Sequence, residues 1–368
     1  MIKLIRDKNI SSSQYEALMV IFMFGTSLMF IGNIHGEEDI WISILIAIVV
    51  AMPFAFIYGK IAKSFPKMGL FDIFIKVYGK VLGKLLILVY SLYFFHLATI
   101  VLRYMTEYIQ VSSLPETPQY ITAILIGILA IYTINAGLSA FSTWAKVTLP
   151  VIMLLIIVTI ILGLNQFNYS YLMPILYKGI KPVMTNAYSF LTFPFAETIV
   201  FLVFSDYVDD NKEITKVFIY SFLIAGFFLL ANILRNILLL GFPNVNNMLF
   251  RSNFATSIIR LSNFIQRIEI IVSANMTLTG FAKATVYLYA ASLGFIKLFN
   301  IKHHRGTLII LCSIMIVLSR FIFKSTMDMA RFINFYLYYV IPFQFVIPVL
   351  TLIIVTIRKK SLKNNSEF

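Results

Sequence analysis

Long runs of apolar residues alternate with short polar segments along the whole chain. A helix needs roughly 20 apolar residues to cross the hydrocarbon core of a bilayer, so each long run predicts one transmembrane helix. The pattern predicts ten transmembrane helices, at about 14–34, 40–61, 82–111, 119–136, 143–164, 183–207, 214–240, 255–297, 306–324 and 331–357. We also expect a short interfacial helix at 71–79 and a bend in the unusually long eighth helix, at 255–297.

Composition narrows the class of protein further. Of the 368 residues, 60% are hydrophobic and only 12% are charged, whereas about 25% of the residues in a soluble domain are charged. We therefore expect an all-α integral membrane protein. Its single domain is predicted to contain a first repeat at 14–164, a second repeat at 183–357 and a cytoplasmic tail at 358–368.

The positive charge of the chain predicts its orientation in the bilayer rather than a nucleic-acid partner. The formal net charge is +14 at pH 7, and basic residues concentrate in segment 1–8, loop 60–84, loop 297–305 and the tail. Short basic loops favour the cytoplasmic side, where they meet anionic lipid headgroups. With an even number of helices, this distribution predicts that both termini are cytoplasmic.

The sixth predicted helix is interrupted in its middle. Pro194 lacks the backbone N–H that a helix needs, and Glu197 follows three residues later. Freed backbone groups and a charge are tolerated within a membrane where they face a cavity or the interior of a bundle. The first helix carries a matching interruption at Gly25, Thr26 and Ser27. Paired interruptions at corresponding positions of two halves are typical of a transporter site in an inverted repeat.

These interruptions supply most of the candidate ligand-binding residues. Half-helix N-termini present free amides that suit a carboxylate, and unwound carbonyls suit an ammonium group or a cation. Glu197 could bind a ligand ammonium, respond to a proton or pair internally, and these alternatives stay open. The predicted ligand-binding residues are Gly25, Thr26, Ser27, His96, Phe193, Phe195, Ala196, Glu197 and Ser273.

Other charged residues in the predicted helices are assigned to gating or to structural roles. Arg103 and Glu107 are four residues apart, so they share one face of the third helix and can neutralise each other. Glu269 and Ser273 are also four residues apart, and we expect them near the break in the first helix.

The ion-pair partners of the buried carboxylates are less defined. Arg235 and Arg320 are both candidate partners for Glu197 or Glu269, and the sequence leaves the pairing open. Three lysines are expected to extend their ammonium groups to the inner membrane interface. They are Lys146, Lys283 and Lys297.

No catalytic constellation is recognisable in the sequence. It offers no phosphate-binding glycine loop with a lysine, no His and Cys spacing for a metal and no Ser–His–Asp arrangement that can be placed. We therefore expect no enzymatic activity, no metal and no cofactor. The use of a coupling proton or sodium ion stays open.

Several segments carry a family resemblance. They are Gly25-Thr26-Ser27, SFPKMGLFDIFIKVYGKVLGKLL at 64–86, LPETP at 114–118, YLMPILYKGIKP at 171–182, FPFAE at 193–197 and the segment 348–360. In this order and spacing they resemble the integral-membrane B subunit of the GerA-type nutrient germinant receptors of endospores, within the amino acid–polyamine–organocation superfamily. Two positions depart from the family pattern, because Ala196 stands where glycine is frequent and Gly32 where proline is common.

The resemblance implies a fold, a location and partners. The fold would be a five-plus-five inverted repeat with broken helices 1 and 6 and a ligand site between helices 1, 3, 6 and 8. The partners would be a large A subunit and a C lipoprotein subunit in the spore inner membrane. The ligand would be a nutrient such as an amino acid, a sugar or a nucleoside. Two further functions share this fold and stay open: a stand-alone proton- or sodium-coupled amino-acid permease, and an ion conduit gated by partner subunits.

Overall fold

Helices make up the architecture of the chain. The computed structural model describes residues 9–28, 39–209, 213–242, 250–259, 267–302 and 304–364. Within these ranges there is no β-strand, and an isolated parallel bridge joins Ile10 to Val208. The predicted all-α class is confirmed.

Twelve α-helices follow one another along the described ranges, and 3₁₀ or π turns extend or interrupt several of them. The helices are α1 (Ser12–Phe24), α2 (Ile40–Ser64), α3 (Leu70–Ser112), α4 (Gln119–Ala136), α5 (Leu138–Gly163), α6 (Ile180–Phe190), α7 (Ile214–Leu240), α8 (Arg251–Ser257), α9 (Glu269–Phe299), α10 (His304–Phe321), α11 (Thr326–Tyr339) and α12 (Ile347–Asn364).

Eight of the described helical segments are long and apolar enough to cross a membrane. They are α2, α3, α4, α5, the segment Ile180–Tyr207 that begins with α6, α7, α10 and the segment Thr326–Arg358 that contains α11. α1 is described over only 13 residues, and polar residues such as Lys283 lower the hydropathy of α9. These two helices correspond in position to the first and eighth helices of the apolar pattern.

Both predicted interruptions are present. Gly25 leaves helical geometry directly after α1, with φ 4° and ψ −124°, and a 3₁₀ turn follows at Thr26–Leu28. After α6, Phe193 has φ −139° and ψ 106° inside the π turn Leu191–Phe195. The chain then continues as the 3₁₀ helix Ala196–Tyr207 rather than as an α-helix. We call α6, this π turn and this 3₁₀ helix together helix 6.

A third interruption divides the last predicted helix. The π turn Pro342–Val346 separates α11 from α12. Pro342 cannot donate a backbone hydrogen bond, and a wider turn is one way in which a helix accommodates that loss. The helix predicted at 331–357 is present as one candidate membrane span, Thr326–Arg358, and this π turn lies inside it.

Two other helices differ from the prediction or refine it. Instead of one bent helix at 255–297, the structure has the short α8 and the long α9. Gly79, with φ 80° and ψ 179°, separates the first part of α3 from the rest. Glycine adopts this conformation at little cost, and the short helix expected at 71–79 is thereby confirmed.

Some predictions concern residues outside the described ranges. They are the end of the first helix at 29–34 with Gly32, the basic segment 1–8 and residues 260–266 of the helix predicted at 255–297. The orientation of the termini and the boundaries of the two repeats stay predictions.

The interrupted helices meet α9 in the middle of the bundle. α3 packs most extensively on α9, and α2 packs most extensively on α7. The second helix of one half therefore packs against the second helix of the other half, and the third helix against the third. The Phe22 ring of α1 lies 5.2 Å from the Phe201 ring of helix 6 and 5.0 Å from the Tyr287 ring of α9. α1 is buried on all its faces beyond Glu16, as expected for an apolar helix in the interior of a large bundle.

Candidate ligand-binding site

A cavity lies where the interruptions of α1 and helix 6 come together. Its lining comes from the 3₁₀ turn after α1, from α3, from helix 6 and from α11. The lining residues are Thr26, Leu97, Ile100, Val101, Tyr104, Ser189, Phe193, Glu197, Phe332, Ile333, Tyr336 and Leu337. Ligand pockets typically have such an apolar and aromatic wall with a few polar groups.

The cavity is small in this structure. The space open to the centres of water molecules is about 40 Å³, and one water needs roughly 10–15 Å³ of such space. The cavity therefore has room for a few waters, whereas pockets for drug-sized ligands measure roughly 300–1,000 Å³.

The charged group of the cavity belongs to a buried ion pair. Glu197 Oε2 contacts Nζ of Lys283 on α9, and the two side chains are 2% and 0% exposed. Lys283 Nζ also lies 4.1 Å from the centroid of the Phe193 ring and 5.1 Å from that of the Phe22 ring. Pairing and cation–π contacts both offset the cost of removing the ammonium from water. The prediction that Lys283 extends to the inner interface was therefore wrong.

A chain of polar side chains continues from this pair to α11. The Tyr336 hydroxyl donates a hydrogen bond of 2.5 Å to Glu197 Oε1. Gln344 Nε2 donates to the Tyr336 hydroxyl at 3.3 Å and to the Tyr93 hydroxyl at 3.0 Å. The network therefore joins α3, helix 6, α9 and the π turn after α11 through buried groups.

Tyr58 on α2 forms hydrogen bonds to two of the interruptions. Its hydroxyl is 2.6 Å from the backbone carbonyl of Gln344 and 3.2 Å from that of Ala196. Interrupted helices leave backbone carbonyls without their usual helical donors, and a buried hydroxyl supplies the missing donor. Ala196 thus offers its carbonyl to α2, and it is not among the residues that line the cavity.

Gly25 leaves room for the lysine of the ion pair. A Cβ atom at Gly25 would lie 2.5 Å from Lys283 Cδ and 3.0 Å from Lys283 Cβ. Thr279, one turn earlier on α9, donates from its hydroxyl to the Gly25 carbonyl at 3.3 Å. The break in α1 is therefore filled by α9, and Lys283 touches both interrupted helices.

The structure brings together three of the predicted ligand-binding residues. Thr26, Phe193 and Glu197 line the cavity, and Gly25 lies behind the ion pair. Ser27 is buried, and its hydroxyl has no hydrogen-bond partner within the described part of the chain.

Phe195 and Ser273 face other parts of the bundle. The Phe195 ring packs on the Phe222 ring of α7 at 5.4 Å. Ser273 Oγ lies 2.9 Å from the Tyr108 hydroxyl and accepts a hydrogen bond of 3.1 Å from Asn253. The expectation that Ser273 and its neighbour Glu269 approach the break in α1 was wrong, because Thr279 and the lysine on α9 occupy that place.

His96 borders a separate groove between α3, α10 and α11. Its Nδ1 lies 3.1 Å from the Tyr339 hydroxyl. The groove has a volume of about 670 Å³, and its lining includes His96 and Thr99 but not Glu197. The structure therefore does not bring His96 to the cavity at the interruptions.

Arg103 and Glu107 form the predicted ion pair, with 3.0 Å between Nη2 and Oε2. Gln119 of α4 donates to Glu107 Oε2 at 2.7 Å, and Thr326 of α11 donates to Oε1 at 2.5 Å. One carboxylate therefore joins α3, α4 and α11.

Neither Arg235 nor Arg320 is the partner of a predicted carboxylate. Glu197 pairs with the lysine on α9, and Glu269 Oε1 lies 3.2 Å from Nε of Arg267. Arg320 is exposed at the end of α10. Among the residues that the structure describes, no group of three or more His, Cys, Asp or Glu side chains could hold a metal.

Sequence reasoning missed three groups at the site. A signal existed for Lys283, since it is an isolated lysine in the long apolar part of α9. Tyr336 and Gln344 gave no comparable signal, because 20 tyrosines are spread over the chain and the π turn that places Gln344 is not visible in the apolar pattern.

Fold and site together define an integral membrane protein built like a secondary transporter. The chain is structurally similar to Mhp1, a nucleobase-cation-symport-1 family transporter in a closed conformation with bromovinylhydantoin bound. The TM-score is 0.70 and the identity 11%, over 94% of this chain and 78% of Mhp1. It is also similar to MhsT in complex with L-phenylalanine, with a TM-score of 0.61 and 12% identity over 83% of this chain and 78% of MhsT. This likeness confirms the predicted five-plus-five fold with interrupted first and sixth helices.

Sequence comparison gives the family. A family model described as spore germination protein matches residues 9–329. The chain is 25% identical to spore germination protein KB of Bacillus subtilis (strain 168), over 97% of both sequences. The chain belongs to the spore germination protein family, as the sequence motifs implied.

Proposed function

We propose that this chain is the ligand-binding transmembrane subunit of a spore germinant receptor. A small nutrient enters the cavity beside Glu197, and its binding triggers germination. The observation that carries the proposal is the meeting of two interrupted helices at a cavity with a buried ion pair, in a member of the spore germination protein family.

The chemistry of the cavity favours an amino acid over a sugar or a nucleoside. A zwitterion carries an ammonium group that complements Glu197 and a carboxylate that complements Lys283 or the amides at the break in α1. The rings of Phe193, Phe332 and Tyr336 then accept an apolar side chain. Mhp1 binds bromovinylhydantoin and MhsT binds L-phenylalanine. These two complexes support the proposal that the ligand of this chain is a small molecule of the size of an amino acid.

The buried ion pair supports a simple sequence of events. At rest, Lys283 satisfies Glu197, and the site is electrically neutral. An incoming zwitterion replaces each partner of the pair with one of its own charges. Because Tyr336 is hydrogen-bonded to the same carboxylate, this exchange also releases α11 from helix 6, and the movement of α11 is the signal that the partner subunits receive.

The partner subunits and the location that we propose rest on the resemblance of the chain to germinant receptor subunits. The receptor contains a large A subunit and a C lipoprotein subunit and lies in the spore inner membrane, with both termini of this chain on the cytoplasmic side. The match of 97% of the chain to spore germination protein KB supports a membrane subunit of that type, one integral domain with two repeats.

A screen of ligands for thermal stabilisation tests the proposal. The purified chain is heated with millimolar amino acids, nucleosides or sugars, and a ligand at one hundred times its Kd adds about 2.7 kcal/mol to the free energy of unfolding. We expect stabilisation by an amino acid, its loss in Glu197→Gln and its retention in the control Glu116→Gln. Glu116 is suited to this control because its carboxylate lies on an exposed turn.

Two further measurements separate the alternatives. Liposomes that contain only this chain are tested for uptake of the stabilising ligand, since uptake without partners would identify a permease, the second candidate that the transporter fold favours. Spores that carry Glu197→Gln in place of the natural residue are then tested for germination. A germination response equal to that of the natural chain would refute a ligand site at Glu197.

A further inference from the structure

Arg235 on α7 is a buried cation that no described carboxylate neutralises. Its residue is 2% exposed, and none of the ion pairs in the described ranges includes it. Its Nη1 donates to Thr159 Oγ1 at 2.6 Å, and its Nε and Nη2 donate to Asn236 Oδ1 at 3.2 and 2.8 Å. A guanidinium stays protonated in proteins, so this charge persists in the interior.

Among the residues that the structure describes, the side chains next to the guanidinium are neutral. Asn232 and Asn236 donate from Nδ2 to Ser252 Oγ at 3.0 and 2.9 Å. Ser252 Oγ in turn donates to the Leu28 carbonyl at 2.9 Å. These dipoles satisfy one another and carry no negative charge, although burying an uncompensated charge is strongly unfavourable.

A small cavity lies beside the guanidinium. It is lined by Leu28, Ile156, Thr159, Asn232, Arg235, Ser252, Val272, Asn275 and Met276. Its volume is about 10 Å³, which is enough for roughly one water molecule or one monatomic ion. The neighbouring Leu239, Leu240 and Ala255 belong to an apolar cluster. The polar groups around Arg235 are therefore surrounded by apolar side chains.

We propose that this cavity binds a halide ion, with chloride as the natural candidate. A monatomic anion supplies the missing negative charge, and the second Nδ2 hydrogen of Asn232 can donate to it while the first keeps its bond to Ser252 Oγ. A carboxylate or a phosphate is too large for the space, and a water, which is smaller than chloride, leaves the charge uncompensated. The ion would hold α5, α7 and α8 together with the turn Thr26–Leu28 next to the ligand cavity.

The test compares anions on the purified full-length chain. The melting temperature is measured while sodium chloride replaces sodium gluconate at constant sodium concentration. We expect a saturable rise on the order of 2 °C or more, and one bound chloride per chain in a binding assay with radioactive ³⁶Cl⁻. In Arg235→Gln both effects should vanish, while Arg331→Gln, which removes an equally charged but 76% exposed side chain, should keep both.

Either of two results would overturn the halide site: equal melting temperatures in chloride and gluconate with no bound ³⁶Cl⁻, or saturable chloride binding that persists in Arg235→Gln. If Arg235→Gln is not obtained folded, Thr159→Val replaces it. That variant keeps the charge and removes one neutral partner, so the chloride concentration at half-saturation should change at least threefold, and an unchanged curve would count against the site.

Discussion

Lys283 and Glu197 form an ion pair in the interior of the bundle, and the stem of this lysine fills the space that Gly25 leaves open. One side chain of α9 therefore stabilises the interruptions of both α1 and helix 6. This relationship makes the pair a structural element of the resting state as well as a candidate contact for a ligand. The two roles have different experimental consequences.

Glu197→Gln is expected to lower the free energy of unfolding by about 3–5 kcal/mol, because removing one partner of a buried pair leaves the other charge uncompensated. Lys283→Met should have a similar cost for the same reason. The double variant removes both charges, and it should be more stable than either single variant. Reversible unfolding of the four proteins in one detergent gives the coupling free energy of the pair.

The response to germinant adds a functional measurement of the same variant. Glu197→Gln spores should need more nutrient for half-maximal germination or show an altered pH dependence, whereas Glu116→Gln spores should behave as the natural chain does. A dose–response curve unchanged from pH 5 to pH 8 in Glu197→Gln would leave the carboxylate without a functional role.

Gly25→Leu is expected to abolish stabilisation by ligand. A Cβ at this position would lie 2.5 Å from Lys283 Cδ, a separation at which the lysine must move, and the larger side chain extends the clash. Gly306→Leu is the matched control, because no atom lies within 4 Å of a Cβ built at Gly306. Both variants should be present in the membrane at similar amounts, and the measurement is the thermal shift with the ligand found for the natural chain. Normal affinity in Gly25→Leu would exclude a ligand site at the first interruption.

Tyr336→Phe tests the link between the ion pair and α11. Loss of the 2.5 Å hydrogen bond to Glu197 should cost about 1.5–3 kcal/mol of unfolding free energy, the range for hydrogen bonds to charged groups. Tyr338→Phe removes a hydroxyl from the same helix at a residue that is 73% exposed, so it should be nearly neutral. Equal stabilities of the two variants would show that the network does not hold α11 in place.

The sequence was sufficient to predict the membrane class, most helix positions and the two interruptions. Apolar length, prolines and glycines determine these features locally, and α4 and α7 begin and end where the pattern places them. The third interruption was not predicted, because Pro342 lies in an apolar segment that reads as one continuous helix, and proline also occurs inside intact helices such as α2.

The ion pair at the site could not be predicted from local sequence. Lys283 is 86 residues from Glu197 in sequence, and only the packing of α9 against α1 and helix 6 brings their charged groups together. The same lysine on a lipid-facing position would extend to the interface. Which face of α9 turns inward depends on tertiary packing, and the buried small residue Gly25 is part of that packing.

Arg103→Met distinguishes a structural role of the Arg103–Glu107 pair from a role in ligand access. The variant leaves Glu107 in contact with Gln119 and Thr326, and these neutral donors compensate part of the loss. The free energy of unfolding should therefore fall by about 1–3 kcal/mol, while Arg331→Met should change it little because that side chain is 76% exposed. The pair is absent from the lining of the ligand cavity, so a structural role predicts the same ligand affinity as in the natural chain. An Arg103→Met variant with natural stability but faster ligand association would instead identify the pair as a gate.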